Sequence, residues 1–229
     1  MTWQKIYSKG VVALDKAKEQ GGKYTLDAGK AFDEASRLAR SQKDWRGIEA
    51  AGRGFLALAE LQEGGTYTHK AAEAFDSAFR MARSQKDCIG MVAAALGFIA
   101  LAGLQQGGTY THKADLVFSE VRSLAKSERS ASPKRSSQCY VSIGEGLLTL
   151  AKLQSGGTYT HRAAEAFASA RSIARDEKTP LGVRMAIFQA LAQRYDRLAG
   201  MQDGGRYSHA AKECRAEAAR IFDQIQSPG

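Results

Sequence analysis

The sequence predicts an all-α fold, an α-solenoid of about five helix-turn-helix repeats and about ten helices. The first observation is a nearly regular spacing of Gly-Gly pairs, which begin at residues 21, 64, 107, 156 and 204. The second is the phrase GGTYTH, which occurs three times without change. The third is that apolar residues around the pairs recur at three- and four-residue steps, the period of a helix. Such a repeat is typical of a solenoid, in which each unit covers the apolar face of its neighbour.

Each repeat begins with a predicted helix that ends at the Gly-Gly pair, as in DWRGIEAAGRGFLALAELQ before Gly64. This segment has no alternation of β-branched and polar residues to favour a strand. A second helix follows the pair, because Ala71, Phe75 and Ala78 and their equivalents share one helical face. The cations near its end, as in RMARSQKD, suit the negative end of the helix dipole.

We interpret GGTYTH as the turn between these two helices. Glycine ends the first helix in the left-handed region without a Cβ clash, and Thr or Ser is expected to cap the second. Tyr67 and its equivalents are expected to pack in this turn. A Ser-rich basic segment at 127–138 lengthens the third step and is expected to be an exposed loop. The chain is therefore predicted to be one domain, 1–229, with repeats at about 1–43, 44–86, 87–132, 133–178 and 179–229.

The repeat resembles the tetratricopeptide repeat in its long-helix form. The resemblance lies in a small Gly in the first helix (Gly54, Gly97, Gly146), a G-x-Y turn and A-x3-F-x2-A in the second helix. It covers essentially the whole chain and implies a right-handed solenoid whose first helices line a concave face. The period exceeds the usual 34 residues of that family. Arg215 stands where the fifth repeat should have Phe, which suits a capping repeat.

No motif in the chain requires catalysis, a cofactor or a metal. Gly22-Lys23 is followed by Tyr24 and preceded by a helix, so it does not match a phosphate-binding loop. One position of the repeated phrase holds every histidine, at 69, 112, 161 and 209. Helices stacked about 8–10 Å apart keep successive histidines from sharing one ion, whose ligands must lie about 2 Å away. We therefore expect structural histidines and a protein that is not an enzyme.

The composition bears on compartment and partners. The formal charge of +9 favours acidic proteins, nucleic acid or anionic surfaces as partners. No apolar stretch reaches the roughly 18 residues of a membrane span, and no secretion signal is recognisable, so a cytoplasmic protein is expected. Cys88, Cys139 and Cys214 lie far apart in apolar helical segments and are expected to be reduced structural thiols.

The first hypothesis for function is a protein-interaction module, such as an adaptor, chaperone or regulatory scaffold, that holds a partner's peptide or helix in the concave groove. A stripe of the first helices changes character between repeats, with an apolar centre and polar surroundings as in an interface. Its candidate binding residues are Arg46, Glu49, Arg53, Ile89, Val92, Leu96, Glu145, Thr149, Gln189 and Gln193. The alternative for Val92 and Leu96 is that their helix is buried all round.

The second hypothesis is RNA or single-stranded DNA binding through a column of cations near the ends of the second helices. The column consists of Arg40, Arg83, Lys126 and Arg175. Such a column can follow a phosphate backbone, although cations also suit helix ends and no aromatic residues alternate with these four. A third interpretation is a homo-oligomer formed through the end repeats, served by Trp3 and Tyr7 on an otherwise uncovered first helix.

Overall fold

A computed structural model describes residues 2–20, 22–62, 65–105, 108–154, 157–202 and 205–227. Over these residues the chain forms helices and no strands. The helices are α1 (Trp3–Gln20), α2 (Lys23–Ser41), α3 (Trp45–Leu61), α4 (Thr66–Ser84), α5 (Cys88–Leu104), α6 (Gly108–Glu128), α7 (Pro133–Leu153), α8 (Gly157–Arg175), α9 (Leu181–Met201) and α10 (Gly205–Gln226). The prediction of an all-α helical repeat with ten helices is confirmed for the described part of the chain.

The chain divides into two compact units, Met1–Phe118 and Ser119–Gly229, which we call unit 1 and unit 2. In unit 1, each of α1 to α4 packs on the next helix, and the first helices of successive repeats also touch, α1 on α3 and α3 on α5. In unit 2, α7 to α10 pack in the same consecutive way, and α7 touches α9. We call a contact between two successive first helices a seam.

The core of each unit is built from phenylalanines set against glycines. Phe75 of α4 is fully buried, and a Cβ added at Gly97 of α5 would lie 2.4 Å from its Cδ1. In unit 2, Phe167 of α8 is fully buried, and a Cβ added at Gly144 of α7 would lie 2.2 Å from its Cε1. Real Cβ atoms essentially never come this close, so these glycines allow the helices to approach.

The turns before α2 and α4 confirm the expected role of glycine but not the expected cap. Gly108, Gly157 and Gly205 differ, because they are the first residues of α6, α8 and α10 and have no positive φ. Gly22 and Gly65 stand at the N-caps of α2 and α4 with φ of 49° and 81°, in the region that favours glycine. Neither helix has a side-chain cap, and Thr68 is buried with its hydroxyl lacking a hydrogen-bond partner. The prediction that Thr caps the second helix is therefore wrong for α2 and α4. The first glycine of each pair lies outside the described residues.

The segment at 127–138 is also more ordered than expected. Helix α6 continues to Glu128 and α7 begins at Pro133, which is favourable at a first helical position. Ser136 is fully buried, and its hydroxyl donates a 2.7 Å hydrogen bond to the carbonyl of Ala125. The prediction of an exposed loop is therefore wrong for the second half of this segment, which forms the start of α7.

The cysteines differ from one another. Cys214 is a buried free thiol, and burial raises the pKa of this group above its usual value. Cys88 and Cys139 are disulfide-bonded, so the expectation of reduced thiols is wrong for these two.

Among the helices that the structure describes, none is both long and apolar enough to cross a membrane.

Candidate functional site

A cleft of about 540 Å³ lies along the α7–α9 seam of unit 2. This volume is within the range of about 300–1,000 Å³ that is usual for ligand sites. Its middle is lined by short apolar side chains, Val141 of α7 and Val183, Ala186, Ile187 and Ala190 of α9. Its polar lining consists of Lys134, Ser137, Gln138, Ser142, Glu145 and Arg194. An apolar centre with a polar rim is the usual composition of a site for a peptide side chain.

The seams of unit 1 show which side chain lies between two successive first helices when no cleft is present. Trp45 of α3 lies over Gly90 of α5, where an added Cβ would be 2.6 Å from the indole Cε2. The indole N–H donates a 3.0 Å hydrogen bond to Oδ2 of Asp87, which also caps α5. Trp45 is only 5% exposed, so its ring occupies the seam.

The α1–α3 seam repeats this arrangement. Trp3 of α1 lies over Gly47 of α3, where an added Cβ would be 2.7 Å from the indole Cδ2. The indole N–H donates a 2.9 Å hydrogen bond to Oδ2 of Asp44, the cap of α3. Trp3 is thus half-buried, and Tyr7 is half-buried with its ring centroid 5.4 Å from that of Phe32. Both side chains therefore already pack within unit 1, which leaves less of them to a second copy than the homo-oligomer interpretation expects.

The α7–α9 seam has different residues at the same two repeat positions. Counted back from the Gly-Gly pairs, Ser137 corresponds to Trp45, and Ile187 corresponds to Gly90. Both Ser137 and Ile187 line the cleft. On α7 a serine takes the place of the tryptophan, and on α9 an isoleucine takes the place of the glycine. Compared with unit 1, this seam lacks an indole ring and has one additional aliphatic side chain. The cleft therefore borders the two positions that hold a tryptophan and a glycine in unit 1, and Ser137 and Ile187 are themselves buried, at 1% and 6% exposure.

One end of the cleft is closed by an ion pair between its two helices. Arg194 of α9 donates through Nε to Oε1 of Glu145 of α7 at 2.9 Å, and its Nη2 lies 2.8 Å from the same oxygen. Its Nη1 donates to the carbonyl of Ala190 at 3.1 Å. Because Glu145 is paired, an occupant of the cleft does not meet an isolated negative charge.

The residues predicted for the groove fall into two groups in unit 1. Arg46, Arg53 and Ile89 are exposed, and Leu96 is half-buried. Val92 is 4% exposed and belongs to the core, as the alternative interpretation of its helix has it.

Glu49, the remaining predicted groove residue of unit 1, is 8% exposed and forms an ion pair with Arg53. Burial raises the pKa of Glu49, against the opposing effect of Arg53. Burial first, and then the charge of Glu49, also raises the pKa of Tyr7 on α1. Glu49 and Val92 therefore offer little surface to a partner.

In unit 2, the structure separates the predicted groove residues. Glu145 lines the cleft, whereas Thr149, one turn further along α7, is exposed and lies outside its lining. Gln189 and Gln193 of α9 line a different depression of about 560 Å³, together with α10 residues that include Phe222. Arg215 borders this depression and pairs with Asp196, so a charged pair stands there in place of the usual Phe.

Comparisons with known proteins place the fold. No family model matches the sequence. No curated protein matches it either. The chain is similar to the solved structure of the DHF58 filament, with a TM-score of 0.52 and 18% identity over 94% of this chain and 96% of that one. It is similar to the DHF119 filament at a TM-score of 0.51 and 18% identity, over 98% and 95% of the two chains. The de novo designed helical repeat protein DHR64 matches at 0.40 and 18%, over 98% and 94%.

At such low identity, the likeness to the two filaments concerns the fold alone, which is that of a helical repeat protein. A shared fold carries little information about function. Function therefore has to be argued from the sites of this chain.

The four cations of the predicted column lie near the ends of the second helices, as the sequence predicts. Arg40, Arg83, Lys126 and Arg175 all lie in the last turn of a second helix, and all are exposed. Cations at this end of a helix stabilise it through the dipole whether or not they bind a ligand. Their position alone therefore does not distinguish a binding surface from helix capping.

The histidines lie in the first turn of α4, α6, α8 and α10 and are exposed. His69, His161 and His209 each face a glutamate four residues later, at 3.1, 3.4 and 3.4 Å. Within the described ranges, no group of three or more His, Cys, Asp or Glu residues is suited to hold a metal ion.

A third depression, of about 290 Å³, lies between α8 and α10 and includes His161 and His209. Arg171 forms an ion pair there with Glu213, and this hydrogen bond lowers the pKa of that carboxyl. Burial raises the pKa of the neighbouring Tyr195 to about 12. The two cations of this depression, Arg171 and Arg206, are balanced by Glu165 and Glu213, so it has no clear preference for a charged ligand.

Of the residues that line the cleft, only Glu145 was among the predicted binding residues, and three of those missed are Ser137, Ile187 and Arg194. Each breaks a regularity that is visible in the repeats. Ser137 interrupts the tryptophan position, Ile187 fills a glycine position, and Arg194 replaces the small glycine of the earlier first helices. Comparison of the repeats with one another could have found them, since a site in a solenoid is expected where packing residues change.

Proposed function

We propose that this protein is a non-enzymatic protein-interaction module, of the adaptor or scaffold kind, that binds a peptide segment of a partner in the α7–α9 cleft. The observation that carries the proposal is the cleft itself, with its apolar middle and its rim of Lys134, Gln138 and Glu145. The resemblance to tetratricopeptide repeats supports the same class, because the cleft lies between first helices, which line the binding face in that family.

The charge of unit 2 favours an acidic partner. From residue 119 onward the chain has 17 Lys and Arg residues against 11 Asp and Glu. Lys134 is exposed at the mouth of the cleft, while the acid at its far end, Glu145, is already paired. Complementary charge mainly raises the association rate and specificity. We therefore expect the bound peptide to place an apolar side chain in the cleft and acidic residues beside it.

A random peptide library displayed on phage and selected on the whole protein tests this proposal. Ala186→Glu puts a carboxylate into the lining at an exposed position, so the fold should tolerate it. Gln189→Glu introduces the same charge one turn along the same helix, outside the cleft. Selected peptides should lose at least about tenfold in affinity on Ala186→Glu, since an apolar contact is replaced by a buried charge, and should keep their affinity on Gln189→Glu. Equal binding to both variants contradicts the proposal.

Nucleic-acid binding remains the second hypothesis, supported by one observation in unit 1. The side chains of Arg37, Arg40 and Lys43 are exposed near the end of α2, with no ion pair among the described residues. Phosphate contacts predict that affinity for single-stranded DNA or RNA falls steeply as salt is raised. A titration of the protein with fluorescent oligonucleotides at two salt concentrations checks this, with an Arg37→Gln/Arg40→Gln variant as the comparison.

A further inference from the structure

We infer that the α7–α9 cleft is a receptor for the side chain of a tryptophan in the partner peptide. This inference rests on the proposed function and specifies the residue that anchors the peptide.

The argument begins with the two seams of unit 1, which show the occupant that this helix geometry accepts. Trp3 and Trp45 each lie with their indole faces on a glycine of the next first helix. Each also donates its indole N–H to a side-chain oxygen at the start of that helix, at 2.9 and 3.0 Å. The same indole arrangement thus occurs at both of these seams.

In the α7–α9 seam, the chain does not supply this side chain. Ser137 stands at the tryptophan position and is 1% exposed, so the cleft meets it only at its edge. Its hydroxyl donates to the carbonyl of Lys134 at 2.8 Å, and its oxygen remains able to accept a hydrogen bond. An open volume of about 540 Å³ remains beside it.

The lining of the cleft suits an aromatic ring with one polar group. Val141, Val183 and Ile187 provide apolar contact for the ring faces. Gln138, Ser142 and Glu145 bring oxygen acceptors to the same cleft for an indole N–H. Tryptophan combines a large apolar surface with one N–H donor, which is why it is common among residues that anchor interfaces. Leucine can make the apolar contacts but has no side-chain donor for these acceptors.

The ligand test uses N-acetyl-tryptophanamide as the probe and N-acetyl-leucinamide as its comparison, each titrated into the whole ¹⁵N-labelled protein. We expect saturable shifts of the backbone amide signals of Ser137, Ser142 and Ala190 with the tryptophan probe. We expect the leucine probe to bind at least about tenfold more weakly, because it lacks the ring and the donor. Equal affinities, or no saturable shift with the tryptophan probe, overturn the inference.

Two variants at the Ser137 position, with one control variant, test whether the tryptophan site of unit 1 can be rebuilt in the cleft. Ser137→Trp with Ile187→Gly restores the Trp and Gly pair, so the protein's own indole should occupy the seam and exclude the probe. Ser137→Trp alone checks the inference if the double variant folds poorly. Thr149→Trp adds the same residue to the same helix at an exposed position outside the lining and should keep probe binding. Unchanged probe binding in folded Ser137→Trp/Ile187→Gly contradicts the inference.

The phage selection separates this inference from the proposed function. Peptides that depend on the cleft and share a tryptophan support both. Peptides that depend on the cleft but have an aliphatic residue at the shared position leave the proposed function standing and overturn the tryptophan site. A selection in which no peptide distinguishes Ala186→Glu from Gln189→Glu overturns the proposed function and, with it, the peptide anchor.

Discussion

The α3–α5 seam and the α7–α9 seam join the first helices of successive repeats with opposite results. In the former, Trp45 fills the space over Gly90 and bonds to Asp87. In the latter, Ser137 and Ile187 take the two equivalent positions, and an opening of about 540 Å³ remains. The first helices of unit 2 are also longer, 21 residues each against 17 in α3 and α5, so the two exchanged side chains and the added turn together distinguish the open seam from the filled one.

The largest expected effect comes from opening the filled seam with Trp45→Ala. The change removes a buried indole and leaves Asp87 without one of its donors, so we expect a loss of about 4 kcal/mol in the free energy of unfolding. Urea unfolding followed by circular dichroism measures it. Ser137→Ala, at the equivalent position in unit 2, should cost less than about 1 kcal/mol, since it removes one local hydrogen bond. Similar losses in the two variants contradict the comparison.

A smaller loss is expected from Gly90→Ala, which crowds the filled seam without emptying it. The new Cβ would lie 2.6 Å from Trp45 and 2.7 Å from the Cβ of Ala82, and both must move. We expect a cost of about 1–3 kcal/mol. The matched control is Gly200→Ala in α9, where an added Cβ meets nothing within 4 Å. There we expect a gain of up to about 1 kcal/mol, because Ala favours a helix over Gly.

Glu49 in unit 1 and Glu213 in unit 2 should contribute to the free energy of unfolding with opposite dependence on pH. Burial raises the folded-state pKa of Glu49, so its contribution to stability is complete below the unfolded-state pKa and is lost as the pH rises through the folded-state value. The hydrogen bond from Arg171 lowers the pKa of Glu213, so its contribution is present above the unfolded-state pKa and is lost as the pH falls through the folded-state value.

Glu49→Gln should therefore be more stable than the parent at neutral pH, and Glu213→Gln less stable. Both differences should shrink as the pH is lowered through the range in which the parent carboxyls become protonated. Thermal melts of the three proteins between pH 3 and 8 check these signs. A difference that stays constant with pH, for either variant, shows that its carboxyl does not titrate as described.

The smallest effect is expected at the end of α2, where Lys43 has a φ of 54°. A side chain is unfavourable in this left-handed conformation, and Gly adopts it freely. Lys43→Gly should therefore raise the free energy of unfolding by about 0.5–1 kcal/mol. Lys30→Gly, at an exposed position in the middle of α2, should lower it by about 1 kcal/mol. A loss in both variants contradicts the expected role of the turn.

Much of the fold follows from local sequence signals. The Gly-Gly spacing and the A-x3-F-x2-A face predict ten helices and their core because they report on helix period and close packing. The cleft does not follow in the same way. Its volume depends on residues far apart in sequence, such as Ser137 and Ile187, which line one cleft only after the repeats have stacked. The expected threonine cap of α4 is absent because Gly65 stands at the N-cap, while Thr68 lies buried in the first turn.

The repetition of the tryptophan and glycine pairs also means that one repeat can be removed without changing the chemistry of the remaining seam. The sequence ARSQKD precedes both α3 and α5, so removing 44–86 joins Lys43 to Asp87 through an unaltered junction. Trp3 would then find Asp87 and Gly90 where it now finds Asp44 and Gly47. We therefore expect a chain shortened by one repeat to close its new seam with native chemistry. The gain or loss of this repeat is a route by which such a protein can change length without first evolving a new interface.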